Sequence, residues 1–158
     1  MGKLVTTSKP RLTRAGFKIY CRYVALLSGL MRSPAVSPSI LLADDNFSVR
    51  KAVRIYLELS GFRVCGEAVD GDEVVEKAAA LRPDFIVLDL AMSGMNGFDA
   101  ARALHRLLPK THLVMFTLYK ELVNRPEASD VGIEAVVSKS DGMSALVEKM
   151  TSLMNPPV

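Results

Sequence analysis

Asp84-Phe-Ile-Val-Leu-Asp-Leu90 is the stretch on which the interpretation of the whole chain rests. Its apolar run includes the β-branched residues Ile86 and Val87, which indicates a buried strand. Asp89 stands inside this run, and a carboxylate in an apolar strand is strongly unfavourable unless it is paired or coordinated. The stretch therefore predicts a strand and, at Asp89, a residue with a function.

Short apolar segments alternate with helical patterns from residue 40 onward. Strands are predicted at residues 40–43, 62–68, 84–90, 111–116 and 134–137. The first helix ends at Gly61 and has apolar residues at helical spacing, namely Val49, Val53, Tyr56, Leu57 and Leu59. The other helices are predicted at residues 70–81, 97–108, 119–130 and 141–153. Parallel neighbours need crossover connections, so the predicted fold class is α/β, a doubly wound five-stranded parallel sheet with helices on both faces.

Composition separates a basic leader from a folded body. Residues 1–39 contain seven Lys or Arg and no Asp or Glu, so the remaining 13 basic and 17 acidic residues give the body a charge of −4. The Ser/Pro-rich stretch at 32–39 disfavours helix and indicates a linker. We therefore expect a leader and linker at 1–39, one domain at 40–154 and a short tail at 155–158.

The leader allows several interpretations. Its apolar stretch from Tyr23 to Met31 is far shorter than the ~20 residues that span a bilayer. Its positive charge would favour contact with an anionic membrane surface. Two further interpretations are that the leader is disordered, or that Met31 is the true start of the protein and residues 1–30 are not translated.

The two cysteines do not indicate a site. Cys21 and Cys65 have no CxxC spacing, which argues against a zinc site or a disulfide framework.

Polar residues follow the predicted strands at the edge where ligands bind in such sheets. Asp44 and Asp45 follow the first strand, Asp89 ends the third, Thr117 follows the fourth and Lys139 follows the fifth. Three carboxylates would repel one another without a counter-ion, and their oxygen atoms suit Mg²⁺. Asp89 is then a carboxylate nucleophile for a phosphoryl group, with Lys139 and Thr117 contacting the phosphoryl oxygens.

These residues resemble the receiver domain of two-component response regulators. The resemblance covers residues 40–154 and rests on four motifs in order, namely Leu41-Leu-Ala-Asp-Asp-Asn46, Val87-Leu-Asp-Leu-Ala-Met-Ser-Gly-Met-Asn-Gly97, Thr117 and Val137-Ser-Lys-Ser140. It implies a flavodoxin-like (βα)5 sandwich and a signalling module that is switched by phosphorylation and is not an enzyme acting on a separate substrate.

The resemblance also assigns roles to individual residues. Asp89 matches the phosphoacceptor, Asp44 and Asp45 the metal-binding pair, and Ala91 the residue whose backbone carbonyl contacts the metal. Thr117 and Lys139 match the two switch positions, and Val136 occupies the place where the family often has a switch aromatic.

The implied partners are a sensor histidine kinase or phosphotransfer protein and an output partner that the sequence does not identify. We expect output through the face of the fourth helix, fifth strand and fifth helix. The sequence also permits a homodimer. Because the sequence ends at Val158, we expect no direct nucleic-acid contact by this chain. A cytoplasmic location follows from the need for a kinase and ATP.

Three departures from the family pattern keep alternatives open. Val136 replaces a frequent aromatic, Leu118 is bulkier than the usual small residue, and Pro126 interrupts the predicted fourth helix. Leu118 and Val136 make a degenerate receiver that binds its partner constitutively conceivable, and Pro126 indicates a short or irregular output face. The rival from the enzyme class is a Mg²⁺-dependent phosphatase, which also uses an aspartate nucleophile at a strand end, although such enzymes need a second aspartate where Ala91 stands. Taken singly, Asp44 and Asp45 could be a helix cap, Thr117 a strand residue and Lys139 a solvated strand end.

Overall fold

The computed structural model describes residues 37–123 and 125–155, and side chains throughout these ranges except that of Arg125. The predictions for the leader, including the start at Met31, lie outside the described residues. The described chain forms five strands and five α-helices, with two short 3-10 turns. In chain order they are β1 Ser39–Ala43, α1 Phe47–Leu59, β2 Arg63–Ala68, α2 Gly71–Leu81, β3 Phe85–Leu88, α3 Gly97–Leu107, β4 His112–Thr117, α4 Arg125–Asp130, β5 Ile133–Ser138 and α5 Met143–Met154.

All five strands form one parallel sheet in the order β2-β1-β3-β4-β5. The chain order reverses between β1 and β3, which is the position where ligands bind in doubly wound sheets. The α/β fold class predicted from the alternation of strands and helices is confirmed.

Helices cover both faces of the sheet because side chains alternate along each strand. On one face, Leu41, Ile86 and Leu113 pack in a cluster with residues of α2, α3 and α4. On the other face, Leu42, Val87 and Val114 pack in a second cluster with residues of α1 and α5. Every residue of β1 and β3 is buried, so Asp44, Asp45 and Asp89 follow strands that are packed on both faces.

The buried face of α1 differs from the face that its apolar residues indicate. Tyr56 and Leu59 are exposed, whereas Arg50 is buried on the same face as Val53 and Leu57. Exposed apolar residues are common on protein surfaces, so two of the residues that indicated the helix do not mark its buried face.

The region after β4 also differs from the prediction. A 3-10 turn at Lys120–Leu122 precedes α4, which has six residues, so the continuous helix at 119–130 is wrong. Pro126 is the second residue of α4, where a missing backbone N–H removes no intrahelical hydrogen bond. The proline therefore stands at the start of a short helix.

The other element ends differ by a few residues. The third strand ends at Leu88, so Asp89 is the first residue beyond it, and α5 begins at Met143 after a 3-10 turn at Lys139–Asp141. Among the helices of the described ranges, none has both the length and the apolar character needed to cross a bilayer.

Candidate functional site

The carboxyl edge of the sheet brings three acidic residues together. Asp44 and Asp45 follow β1, Asp89 follows the neighbouring strand β3, and one carboxylate oxygen from each lies within 4.8 Å of the others. Asp44 and Asp89 are 4% and 6% exposed, whereas Asp45 is exposed. The donor set is entirely oxygen, which fits a hard cation such as Mg²⁺.

Lys139 links two of these carboxylates. Its Nζ donates to Asp44 Oδ2 at 2.6 Å and to Asp89 Oδ2 at 2.7 Å, although Lys139 follows β5, two strands away from β3. Burial opposes the charge of Lys139, but the bonds to Asp44 and Asp89 outweigh it and raise the pKa of the ammonium above its ordinary value. Lys139 is thus a charged part of the cluster and not a solvated strand end.

The loop after β1 is held by short local bonds. Asp44 Oδ1 accepts from the backbone N–H of Asn46 at 2.9 Å, and Asn46 Oδ1 accepts from the N–H groups of Ser48 and Val49. Asn46 is therefore the N-cap of α1. Helix capping does not account for Asp44 and Asp45.

Gly97 lets the loop after β3 lie close to α3. A Cβ at Gly97 would overlap the carbonyl oxygen of Asp89 and would lie 2.9 Å from Cα of Leu90. The N–H of Gly97 donates to the carbonyl of Leu90 at 3.0 Å. The absence of a side chain at this position therefore allows the backbone of Asp89 to pack against the start of α3.

The family model for the response regulator receiver domain matches residues 40–151. The chain belongs to the response regulator receiver family. Receiver domains are signalling modules of two-component systems, and the resemblance found in the sequence motifs is confirmed.

Relatives of this receiver include both longer and single-domain proteins. Response regulator protein VraR of Staphylococcus saprophyticus is 33% identical over 117 residues, which cover 73% of this chain and 56% of VraR. The chain thus spans little more than half the length of VraR. Chemotaxis protein CheY of Thermotoga maritima is 28% identical over 72% of this chain and 95% of CheY.

The fold of the receiver is matched by solved structures. The response regulator domain of Thermotoga maritima CheB aligns with a TM-score of 0.70 at 27% identity, covering 77% of this chain and 99% of that domain. A response regulator of the LuxR family from Aurantimonas aligns with a TM-score of 0.69 at 27% identity, covering 74% of this chain and 84% of that structure.

Two residues predicted for the receiver site take no part in the hydrogen bonds of the acidic cluster among the described residues. Thr117 is the last residue of β4 and fully buried, and its hydroxyl accepts from the N–H of Tyr119 at 3.2 Å. Val136 is half-buried in β5 and packs against the core cluster on the side of α2 and α3. Neither side chain hydrogen bonds to Asp89 or Lys139 within the part of the chain that the structure describes.

Ala91 lies two residues beyond Asp89, in the loop that leads to α3. Its N–H points to Asp89 Oδ1 at 3.4 Å, which is at the long end for a hydrogen bond. Oδ1 is thus held more loosely than Oδ2, which Lys139 binds. Leu118 and Tyr119 are exposed in the loop after β4, with 56% and 47% of their surface accessible.

Arg50 is the residue of this site that the sequence analysis missed. Its Nη1 donates to the backbone carbonyl of Asp44 at 2.6 Å, and its Nε contacts Glu67 Oε2 at 3.3 Å. The signal was present, since Arg50, Val53 and Leu57 recur at helical spacing and a charged residue on a buried face is unusual.

Proposed function

We propose that the chain is a phospho-accepting response regulator in which Asp89 receives a phosphoryl group from a histidine kinase or a phosphotransfer protein. The observation that carries the proposal is the bridge from Lys139 to both Asp44 and Asp89, beside a third carboxylate at Asp45. A buried nucleophile, an oxygen-only cation site and a fixed positive charge therefore meet at one edge of the sheet.

In the proposed transfer, a carboxylate oxygen of Asp89 forms a bond to phosphorus. The bond from phosphorus to the donor, a histidine nitrogen or the oxygen of a small acyl phosphate, breaks, and the donor keeps the electron pair. Asp89 Oδ1 is the freer oxygen because Oδ2 is bound by Lys139. Lys139 is positioned to pair with a phosphoryl oxygen once the phosphoryl group is attached.

The proposed cofactor is Mg²⁺, which would be held by the carboxylates of Asp44, Asp45 and Asp89 and by the backbone carbonyl of Ala91. When bound, the ion would neutralise the negative charge that the carboxylates and the phosphoryl group bring together. The short distances among the three carboxylates support this assignment. The need for a kinase and its ATP places the proposed function in the cytoplasm.

The proposed switch begins at Thr117. Its hydroxyl accepts from the N–H of Tyr119 and keeps its own proton to donate, so movement of Thr117 toward a phosphoryl oxygen would carry the loop after β4 with it. Val136 has no ring to swing, so we expect readout to rely on backbone and helix movement. Loss of partner binding in Val136→Ala with phosphorylation intact would contradict that expectation.

We propose that output uses the face formed by α4, β5 and α5. A cavity of about 830 Å³ lies beside these elements, and Ala128, Val136 and Lys149 are among its lining residues. The six-residue length of α4 supports this proposal, because few packed residues hold the helix against the sheet.

The alternative is a degenerate receiver that binds its partner constitutively. Two observations favour it, namely that Asp89 is only 6% exposed and that Lys139 already binds its Oδ2. In that case the cluster is a structural ion pair, and phosphorylation plays no part.

Labelling with acetyl phosphate and Mg²⁺ tests the proposal. We expect a phosphate-affinity gel to show a shifted band for the wild type and none for Asp89→Asn. The control is Asp99→Asn, which removes an exposed carboxylate at the start of α3 and should label like the wild type. No label in the wild type supports the degenerate receiver, and release of inorganic phosphate without label supports a phosphatase.

A further inference from the structure

Arg50 is a buried cation for which the proposed phosphoryl transfer provides no role. It is 8% exposed, lies on α1 and approaches the acidic cluster from the backbone side of Asp44. A buried guanidinium needs partners, and here the partners are the carbonyl of Asp44 and the carboxylate of Glu67 on β2.

Glu67 holds Arg50 in place. Hydrogen bonds from Arg54 and Arg50 keep the pKa of the Glu67 carboxyl below its usual value, with Arg54 the larger cause. Arg54 Nη1 donates to Glu67 Oε1 at 2.8 Å, so the two arginines occupy different oxygens of one carboxylate. Lys77 Nζ bonds to the backbone carbonyl of Glu67 at 2.5 Å. Glu67 is therefore a charged and fixed anchor at neutral pH.

The contact from Arg50 bears on Asp45 more than on Asp44. The carboxylate of Asp44 is fixed by Lys139 and by the N–H of Asn46. Within the described residues, the exposed carboxylate of Asp45 accepts no hydrogen bond, so its position depends on the backbone. The carbonyl that Arg50 binds belongs to the peptide that joins Asp44 to Asp45, and fixing this peptide fixes where the Asp45 side chain begins.

We propose that Arg50 is a positioning residue for the cation site, holding the peptide between Asp44 and Asp45 so that Asp45 presents its carboxylate to Mg²⁺. The inference rests on the proposed metal site. Residues that orient ligands from behind are typically worth about 10- to 100-fold in metal affinity. For Arg50 we expect an effect on Mg²⁺ affinity at the lower end of this range, because Arg50 acts on only one of the three carboxylates.

The charge of Arg50 alone predicts the opposite effect. Removing a cation near the carboxylates would strengthen their attraction for Mg²⁺. Arg54 stays on Glu67 in Arg50→Met, and the cluster opens to solvent at the exposed Asp45, so water and salt screen the lost charge. The geometric effect should therefore exceed the electrostatic one, and the sign of the change distinguishes them.

Arg54→Met is the matched control. It removes one arginine from the same Glu67 but leaves the contact to Asp44 intact. Arg50→Lys keeps the charge, but one ammonium on a shorter side chain does not reproduce the fork that reaches both partners. Comparison of Arg54→Met with Arg50→Lys separates the loss of a positive charge from the loss of the bond between Arg50 and the carbonyl of Asp44.

The experiment is calorimetric titration of the full chain with Mg²⁺, together with amide NMR spectra and thermal unfolding. We expect the Kd for Mg²⁺ to rise about tenfold in Arg50→Met and by a smaller factor in Arg50→Lys, with Arg54→Met within about twofold of the wild type. The Mg²⁺-induced shift of the Asp45 amide should change in the Arg50 variants only.

Unchanged or tighter Mg²⁺ binding by folded Arg50→Met would overturn the inference, as would equal losses in Arg50→Met and Arg54→Met. If Arg50→Met does not fold, wild-type affinity in Arg50→Lys would overturn it. A wild type that binds no Mg²⁺ refutes the metal site itself along with the inference, and acetyl phosphate labelling reports separately on Asp89.

Discussion

Replacing Lys139 with methionine tests whether the acidic cluster depends on one ammonium. Lys139→Met keeps an apolar chain of similar length but leaves the carboxylates of Asp44 and Asp89 without their shared partner. Those side chains are 5% and 8% exposed, and removing one partner from a buried ion pair costs about 3 to 5 kcal/mol of folding stability. Protonation of a carboxylate relieves part of it, so we expect about 3 kcal/mol, or roughly 10 °C in Tm.

Mg²⁺ should restore much of this loss. In the wild type, bound Mg²⁺ and the ammonium would be like charges beside the same carboxylates, whereas in Lys139→Met the Mg²⁺ would replace the missing charge. If the variant binds Mg²⁺ tenfold more tightly, saturating metal adds about 1.4 kcal/mol more stabilisation to the variant than to the wild type. Urea unfolding of both proteins, with and without Mg²⁺, measures the destabilisation by Lys139→Met and the extra stabilisation of the variant by Mg²⁺.

Lys120→Met is the control for this experiment. Lys120 and Asp141 form an ion pair at 3.0 Å in which both side chains are 48% exposed, and such pairs contribute about 0–1 kcal/mol. Equal stability of Lys139→Met and Lys120→Met, with the same response to Mg²⁺, would refute the view that Lys139 offsets the charge of Asp44 and Asp89.

Three further predictions concern stability and the lifetime of the phosphorylated state. The bonds from the backbone and hydroxyl of Ser39 lower the pKa of Asp84, so wild type should exceed Asp84→Asn in stability at neutral pH by about 1 kcal/mol or less. This difference should vanish as pH falls below about 4 through the lowered pKa, which urea unfolding at several pH values would show. Gly97→Ala should lose about 1–3 kcal/mol in urea unfolding and label poorly, because its methyl overlaps the backbone of Asp89. The acyl phosphate should decay more slowly in the wild type than in Ala91→Asn, whose amide can orient a water, and equal decay of labelled protein would contradict this.

The sequence was enough to predict the parallel sheet and which polar residues lie at its carboxyl edge. Ile86 and Val87 are β-branched residues in a short apolar run, and the alternation of such runs with helices permits few arrangements. Once the strands are parallel, residues after β1 and β3 must share an edge, so the proximity of Asp44 and Asp89 follows from the topology. The bridge from Lys139 does not follow in the same way, because its long side chain can also extend into solvent.

Helix orientation was harder to predict because exposed apolar residues weaken the pattern. Leu59 is 83% exposed at the end of α1, whereas the charged residue Arg50 is buried. A buried arginine is stable only with partners, and its partner Glu67 lies 17 positions away on β2. Local periodicity marks Arg50 as an unusual residue for a buried face but contains no information on its partners, which are visible only in the fold.

The switch residues show the same limit. Thr117 could be placed at the end of β4 from the apolar run that precedes it, but its bond to the N–H of Tyr119 depends on how the next loop turns. Pro126 marked an irregularity without indicating that a 3-10 turn and a short helix replace one longer helix.

Locating the phosphoryl group tests most directly whether Asp89 is the phosphoacceptor. Wild-type protein treated with acetyl phosphate and Mg²⁺ is reduced with borohydride, which converts an aspartyl phosphate to homoserine, and is then sequenced by tandem mass spectrometry. We predict homoserine at position 89 and at neither Asp44 nor Asp45. Unmodified Asp89 in folded protein, or conversion at another aspartate, would contradict it.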